Sequence, residues 1–377
     1  MNLWKLFKIF LRFGFLAWGG PVAQIGMIKD ELVDKERWIS QEKFKRVLAV
    51  YQALPGPEAH ELCVYFGMMR GGRLGGFLAG LGFMLPGFVL MVLLSWAYTI
   101  YGSVALLPVF AGVTPAVSAL IARAAHRIGS HILHSKSSIY VAIISMVLTF
   151  LQMHFLLVFL ICVLFRWLWV KNKKLLSCAV SLTLIAIFLA ISYYISELSF
   201  FPSSKSGLFV EGLKAGLLSF GGAYTAIPFL QNSMVGNYDS ITTNSFLDGI
   251  ALANVIPAPL VIFGTFLGFL VGNFSGALLI TIGIFLPAFS FTLLGHKQLE
   301  QLIENKTFHG TLDSISAAVV GMLIVTAFQI FLHAVTTPLQ TIIFVIALAA
   351  LYLWKWRWSN PMIIISCGIF GYFLSNF

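Results

Sequence analysis

Trp18-Gly19-Gly20-Pro21, followed by Leu54-Pro55-Gly56-Pro57, returns later in the same chain as Phe220-Gly221-Gly222, followed by Ile256-Pro257-Ala258-Pro259. Gly19 and Gly221 lie 202 positions apart, and so do Pro55 and Pro257. Gly14 with Gly216, Gln52 with Asn254, and Ala116-Val117 with Ala318-Val319 keep the same offset, while Leu85-Pro86 meets Leu286-Pro287 one residue out of step. Internal repetition in a very apolar chain, with Gly and Pro interrupting matched hydrophobic segments, is the sequence sign of a secondary transporter. Its substrate would sit between two related halves.

Composition excludes a soluble globular protein. Of 377 residues 59% are hydrophobic and only 10% charged, against roughly a quarter charged in soluble domains. The mean hydropathy is +0.92. Runs such as Phe77–Tyr101 and Leu175–Tyr193 reach the roughly 20 apolar residues that a spanning helix needs. The fold class is therefore an all-α polytopic membrane protein. Cys63, Cys162, Cys178 and Cys367 stand singly in apolar stretches and read as structural residues. Neither a metal site nor a cofactor is expected.

The net charge of +10 reports orientation. Basic residues gather in alternate connections, among them Arg70 and Arg73; Arg123, Arg127 and Lys136; and Arg166, Lys171, Lys173 and Lys174. The connections near Gly102, Gln152, Asn273 and His333 hold no Lys or Arg. That is the positive-inside pattern, so no nucleic-acid partner is implied. Lys5 and Lys8 put the N-terminus on the cytoplasmic side. No small-residue cleavage site follows the first apolar stretch, which is read as part of a multi-pass protein of the cell's inner membrane.

Thirteen hydrophobic segments are expected, near 7–27, 43–70, 74–101, 104–125, 138–152, 154–170, 175–196, 208–230, 245–271, 275–295, 312–333, 338–354 and 361–376. Residues 1–174 form an N-terminal repeat, 175–207 a linker helix, and 208–377 a C-terminal repeat. A shift of seven segments between equivalents is odd, so the halves are expected to be inverted about an axis in the membrane plane. The paired segments 138–152/154–170 and 338–354/361–376 are short for full spans. If every segment crosses, the loop 29–46, with six Lys or Arg, lies outside, and the loop 232–245, with none, lies inside. Both placements are repaired if the first two segments of each repeat are re-entrant, turning at Gly-Gly or Pro-x-Pro, although five acidic residues in loop 29–46 dilute the argument.

Pro lacks an N–H and Gly relaxes the backbone, so these motifs break helices. Within a bilayer such a break is tolerated only where it is buried in protein or lines a wet cavity. It leaves helix N-termini with free N–H groups and the positive end of a dipole, which suits an anion. The substrate-binding candidates are accordingly Gly19, Gly20, Pro21, Gln24, Gln52, Pro55, Gly56, Pro57, Gly221, Gly222, Asn254, Pro257, Ala258 and Pro259. The plainer alternative for any one motif is a kink or a close helix contact.

Several of these residues carry a resemblance. Phe13-Gly14, Trp18-Gly19-Gly20-Pro21, Asp30-Glu31, Arg37-Trp38, Gln52, Leu54-Pro55-Gly56-Pro57-Glu58, Gly67 and Leu85-Pro86 resemble the N-terminal half of the chromate ion transporter family. Gly216, Ser219-Phe220-Gly221-Gly222, Pro228, Leu230, Pro257-Ala258-Pro259 and Phe285-Leu286-Pro287 are similar to its C-terminal half, giving the long, two-domain form. The resemblance implies export of chromate, a tetrahedral dianion shaped like sulfate, driven by the proton gradient. Trp18 stands where the family commonly has Phe, Asn254 where a Gln is expected, and Ala258 where the second Pro-x-Pro has Gly.

Ionisable residues at membrane depth are costly and so are candidates for function. Glu58 follows Pro-Gly-Pro directly and Glu61 lies one helical turn on. A carboxylate beside a dianion is repulsive unless protonated, which makes both candidates for proton coupling; capping of a helix is the alternative for Glu58. Arg12, with Lys214 as its equivalent, offers a cation near the first break, whereas Arg70 reads as a headgroup anchor. His60 reads as a packing residue, because Cys63 and Val64 occupy the places where a zinc-protease helix carries its second His. Asp248 reads as a membrane-edge or helix-start residue.

No nucleophile with a base, and no Gly-x-Ser-x-Gly stretch, points to catalysis, so no catalytic residue is assigned. A membrane enzyme acting on a lipid and a passive anion channel are the competing readings. The expected partners are an oxyanion and the bilayer, with a homodimer left open.

Overall fold

The computed structural model describes residues 2–18, 20–151, 153, 155–171, 207–219, 223–296, 306–354, 356 and 358–374. Among them the chain is helical throughout, with no β-sheet. Helices α1 (Leu3–Leu16), α2 (Gly20–Ile28, running into a π-helical turn Lys29–Lys35) and α3 (Gln41–Ala53) precede the long helical stretch α4 (Glu58–Ile132). Two shorter helices follow, α5 (Lys136–Phe150) and α6 (Phe155–Val170). The linker expected at 175–207 lies outside the described residues except for its last position.

The second half runs α7 (Gly207–Leu218), a 3-10 turn Ala223–Thr225, α8 (Ala226–Met234), α9 (Thr243–Val255), a 3-10 turn Leu260–Ile262, and α10 (Phe263–Leu294). It continues with α11 (Lys306–Ala334), α12 (Pro338–Leu353) and α13 (Ser359–Leu374). Caps at matched positions set matched helix starts. Ser40 accepts from the Lys43 N–H to open α3, and Thr242, 202 positions on, accepts from the Ser245 N–H to open α9. Ser135 and Thr337 open α5 and α12 in the same way.

Three arms make up α4. Gly72 has φ +60, and Gly67 packs on Gly75, Gly76 and Ala79, so the chain doubles back there. It reverses again before Pro108: the Tyr98 and Phe110 rings are 5.9 Å apart, where a straight helix would separate them by about 18 Å. We call the arms α4a (58–71), α4b (73–101) and α4c (Pro108–Ile132). In α10, Gly272 and Asn273 leave helical geometry, and Gly268 packs on Gly276 and Ile280 across that turn.

Among the described residues, four stretches are long and apolar enough to cross a bilayer, two of them containing the turns just described: Glu58–Tyr101, Pro108–Ile132, Leu260–Leu294 and Ser314–Ala334. The α5, α6, α12 and α13 helices have 15 or 16 residues, about 24 Å at 1.5 Å each, against a hydrocarbon core of about 30 Å. Trp96, Phe150, Leu332, Val345 and Phe373 are exposed on outer faces, as expected where lipid is the solvent.

Small residues let the helices close up. A methyl group at Gly14 would stand 2.6 Å from the Phe83 carbonyl oxygen and 2.9 Å from that of Gly82, so α1 lies directly on α4b. Gly216 meets the Ile284 carbonyl in the same fashion, which puts α7 on α10.

Candidate anion-binding site

In the segments expected at 7–27, 43–70, 208–230 and 245–271, helices stop before and restart after the Gly or Pro motif, and side chains on the two sides of each break meet. Arg12 of α1 pairs with Glu31, beyond the first break. Tyr51 and Tyr65 stack edge to face at 6.0 Å across the second. Glu211 acts electrostatically on Tyr238 across the third. The Phe246 and Phe263 rings meet at 5.5 Å across the fourth. Each break leaves a helix or 3-10 turn starting within a few residues of it, at Gly20, Glu58, Ala223 and Leu260.

Tertiary packing then joins the breaks across the two halves. The Gly56 N–H donates to the Ser219 carbonyl at 2.9 Å, tying the second break to the third. The Gln24 side-chain amide donates to the carbonyls of Ala17 (2.9 Å) and Ala258 (3.0 Å), tying the first to the fourth. Ala17 and Ser219 are 202 positions apart, and so are Gly56 and Ala258. The two junctions are therefore equivalent, one closed by a direct bond and the other through Gln24. Small residues repeat the exchange: Gly56 faces Ala288, and Ala258 faces Gly87.

Gly56 has φ +144, a conformation that side chains with a Cβ avoid. A Cβ there would stand 2.8 Å from Glu61 Oε1. Ala258 is not among the residues with positive φ, so the second Pro-x-Pro turns without needing glycine.

Glu58 and Glu61 occupy the first turn of α4a, and both are buried, Glu61 at 0% exposure. Among the described residues neither Glu61 carboxyl oxygen has a hydrogen-bond partner. Gln52 and Arg127 act on the Glu58 carboxyl. His60, between them, lies against the rings of Phe285 (4.9 Å) and Phe289 (4.7 Å) and faces the Gly80 carbonyl, a packed position.

Pro55, Gly56, Pro57, Pro257, Ala258 and Pro259 are buried at the junctions, Gly20 and Pro21 are half-buried, and Gln24 is buried between its two carbonyls. Gly19, Gly221 and Gly222 lie outside the described residues. Asn254 turns back to the Ile250 carbonyl of its own helix at 2.8 Å. Arg12, with 56% of its side chain exposed, is engaged by Glu31, and Lys214 pairs with Glu211 at 2.8 Å. Arg70 stacks on Trp38, 4.7 Å from the ring centre. Asp248 corrects its sequence reading: it is buried within α9, six residues into the helix, and accepts from the Tyr98 hydroxyl at 2.8 Å. No group of three or more His, Cys, Asp or Glu side chains suited to a metal occurs among the described residues.

The profile of the chromate transporter family matches residues 4–167 and 206–372, one stretch in each half. The chain belongs to the chromate transporter family. It is 45% identical over 385 residues to the chromate transport protein of Pseudomonas aeruginosa, covering 99% of this chain and 92% of that protein. The probable chromate transport protein of Synechococcus elongatus is 32% identical, with 98% and 95% covered. The chromate transport protein of Cupriavidus metallidurans is 30% identical, with 98% and 92% covered. No solved structure matches. Membership of a chromate transporter family assigns the chain to membrane transport and sets aside the reading as a lipid-acting enzyme.

Two residues near the junctions escaped the sequence reading. Arg123 and Arg127 of α4c were read there only as loop cations that report orientation. The one available signal was their i, i+4 spacing, which puts them on one helix face.

Proposed function

We propose that this chromate transporter family member is a secondary transporter that moves chromate, and oxyanions of like shape and charge such as sulfate, outward across the inner membrane in exchange with or together with protons. The observation that carries the reading is the pairing of all four helix breaks across the halves by the Gly56–Ser219 bond and the Gln24 bridge. Helix and 3-10 N-termini beside these junctions offer N–H groups and positive dipole ends to an oxyanion without a fully buried cation. The relatives' names as chromate transport proteins supply the substrate class.

Glu58 and Glu61 supply the coupling in this scheme. A dianion entering beside two buried carboxyls is favoured only when they hold protons, so anion and proton occupancy are linked. Residues 1–174 and 208–377 act as inverted halves about the linker 175–207, and alternating access follows from rocking at the two junctions. The first two helical pairs of each half are re-entrant: α1, α3, α7 and α9 have 14, 13, 12 and 13 residues, at most about 21 Å, too short to cross. A cysteine at Lys35, on a background without native cysteines, should then be labelled from the cytoplasm and one at Asp239 from outside; the opposite pattern would restore full crossings.

The decisive experiment is uptake into proteoliposomes of chromate, sulfate, molybdate and phosphate under an imposed pH gradient. Accumulation of chromate above equilibrium supports the coupled transporter. Equilibration without accumulation would make the protein a channel, and no oxyanion flux at all would end the proposal.

A further inference from the structure

Resting on the oxyanion reading above, we infer that Arg123 and Arg127 are the cationic contacts that receive the substrate and select a dianion, with Tyr224 shaping their approach. Both arginines are half-buried on one face of α4c. The Arg127 guanidinium lies 6.0 Å from the centre of the buried Tyr224 ring, at the start of the element that follows the third break. Its charge also reaches Glu58, just past the second break. Arg123 acts on the same tyrosine, lies over Tyr352 at 6.0 Å, and reaches Asn360 Oδ1 at 3.5 Å. Asn360 is two residues from Trp358, whose ring meets Trp18 of the first break at 4.7 Å. Arg127 thus stands beside the second and third breaks, and Arg123 reaches toward the helix end whose Trp358 packs on Trp18.

Among the described residues no ion pair balances these two charges. Arg123 and Arg127 are close enough to repel each other, and like charges at i, i+4 destabilise a helix. The Glu58 carboxyl, which feels the charge of Arg127, holds a proton in the coupling scheme above when the anion enters. With Glu58 protonated, the two positive charges match the two negative charges of a tetrahedral dianion, and guanidinium groups hold its oxygens in pairs. The arginines are not repeated in the second half. Positions 202 further on are Val325, which is buried, and Gln329. The cations thus serve one side of the site. The basic connection that they begin is the one the charge pattern assigns to the cytoplasm, so the pair faces the compartment from which an exporter loads.

The test is equilibrium binding of radiolabelled chromate to purified full-length protein in nanodiscs, with sulfate and perchlorate, a tetrahedral monoanion, as competitors. Arg127→Gln and Arg123→Gln should each weaken chromate about tenfold or more, the loss expected for a hydrogen bond to a charged group, and perchlorate much less. Arg127→Lys should recover part of the loss, and Arg70→Gln should bind like the wild type. If a glutamine variant does not fold, the lysine variant decides, with weakened chromate and a lowered preference for dianions as the expected result. Wild-type affinity and selectivity in the folded variants, or an equal loss in Arg70→Gln, would overturn the assignment. Absence of oxyanion binding by the wild type would instead remove the function on which it rests.

Discussion

Gly56→Ala adds one methyl group at the junction of the second and third breaks, and its cost can be worked from the geometry. The native φ of +144 is accessible to glycine and strained by about 1–3 kcal/mol for any other residue. The new Cβ would stand 2.8 Å from Glu61 Oε1, 3.0 Å from its Cδ and 3.4 Å from the Ala288 Cβ, so relief requires the Glu61 carboxyl or the turn to shift. A shifted turn loses the 2.9 Å bond from the Gly56 N–H to Ser219, worth about 1 kcal/mol. Together these give a destabilisation of about 2–4 kcal/mol, concentrated where the halves meet. Thermal unfolding in detergent should show a lower midpoint, and chromate transport in proteoliposomes should fall more steeply than stability does, because both the turn and Glu61 are displaced. The equivalent position supplies a control: Ala258→Gly changes the same methyl group in the opposite sense at a turn without positive φ, and should keep most transport. Wild-type melting and transport by Gly56→Ala would refute both the required glycine conformation and the closeness of Glu61.

Gln24→Ala removes both donors that join Ala17 to Ala258 and should cost about 1–3 kcal/mol. Gln24→Glu should do no better, because a carboxylate cannot donate; an unchanged melting curve for either variant would show that the bridge carries no load. Glu58→Gln keeps a neutral side chain at the start of α4a and should still bind chromate, with less pH dependence, while failing to accumulate it. Full pH-driven accumulation by this variant would move coupling to Glu61 or away from the protein. On the hairpin surface, the Arg12 guanidinium holds the Glu31 carboxyl below its ordinary range, with Lys35 adding to the effect. A depressed carboxyl stabilises the fold above its unfolded pKa, and that contribution disappears as the pH falls through the carboxylate range, about pH 3–5. The gap in melting temperature between wild type and Arg12→Gln should thus be present at neutral pH and close on acidification; a gap that persists in acid would assign it to packing.

Local chemistry made much of this protein legible in advance. Charge so sparse in so apolar a chain permits only a membrane solvent, and the Gly and Pro motifs could only interrupt the helices that hold them. The chromate transporter resemblance rested on those same short motifs. Caps such as Ser40 and Thr242 act within one helical turn, so a repeat in sequence becomes a repeat in helix starts. Asp248 was misjudged because a lone acid in an apolar helix gives no sign of its distant partner, Tyr98.

The pairing of the breaks was decided elsewhere. Nothing in either half says that the first break meets the fourth and the second the third, because those contacts join residues as far apart as Gln24 and Ala258, separated by 234 positions. The same holds for Arg123 and Arg127. In sequence they are cations at a membrane edge, and only the packing of α4c against the element after the third break turns Arg127 toward Tyr224 and Glu58 and Arg123 toward Tyr224. Periodicity and propensity act over a few residues and fix where a helix stops. Which stops come together depends on how whole helices close-pack through surfaces such as Gly14 on α4b and Gly216 on α10, a property of the assembled fold.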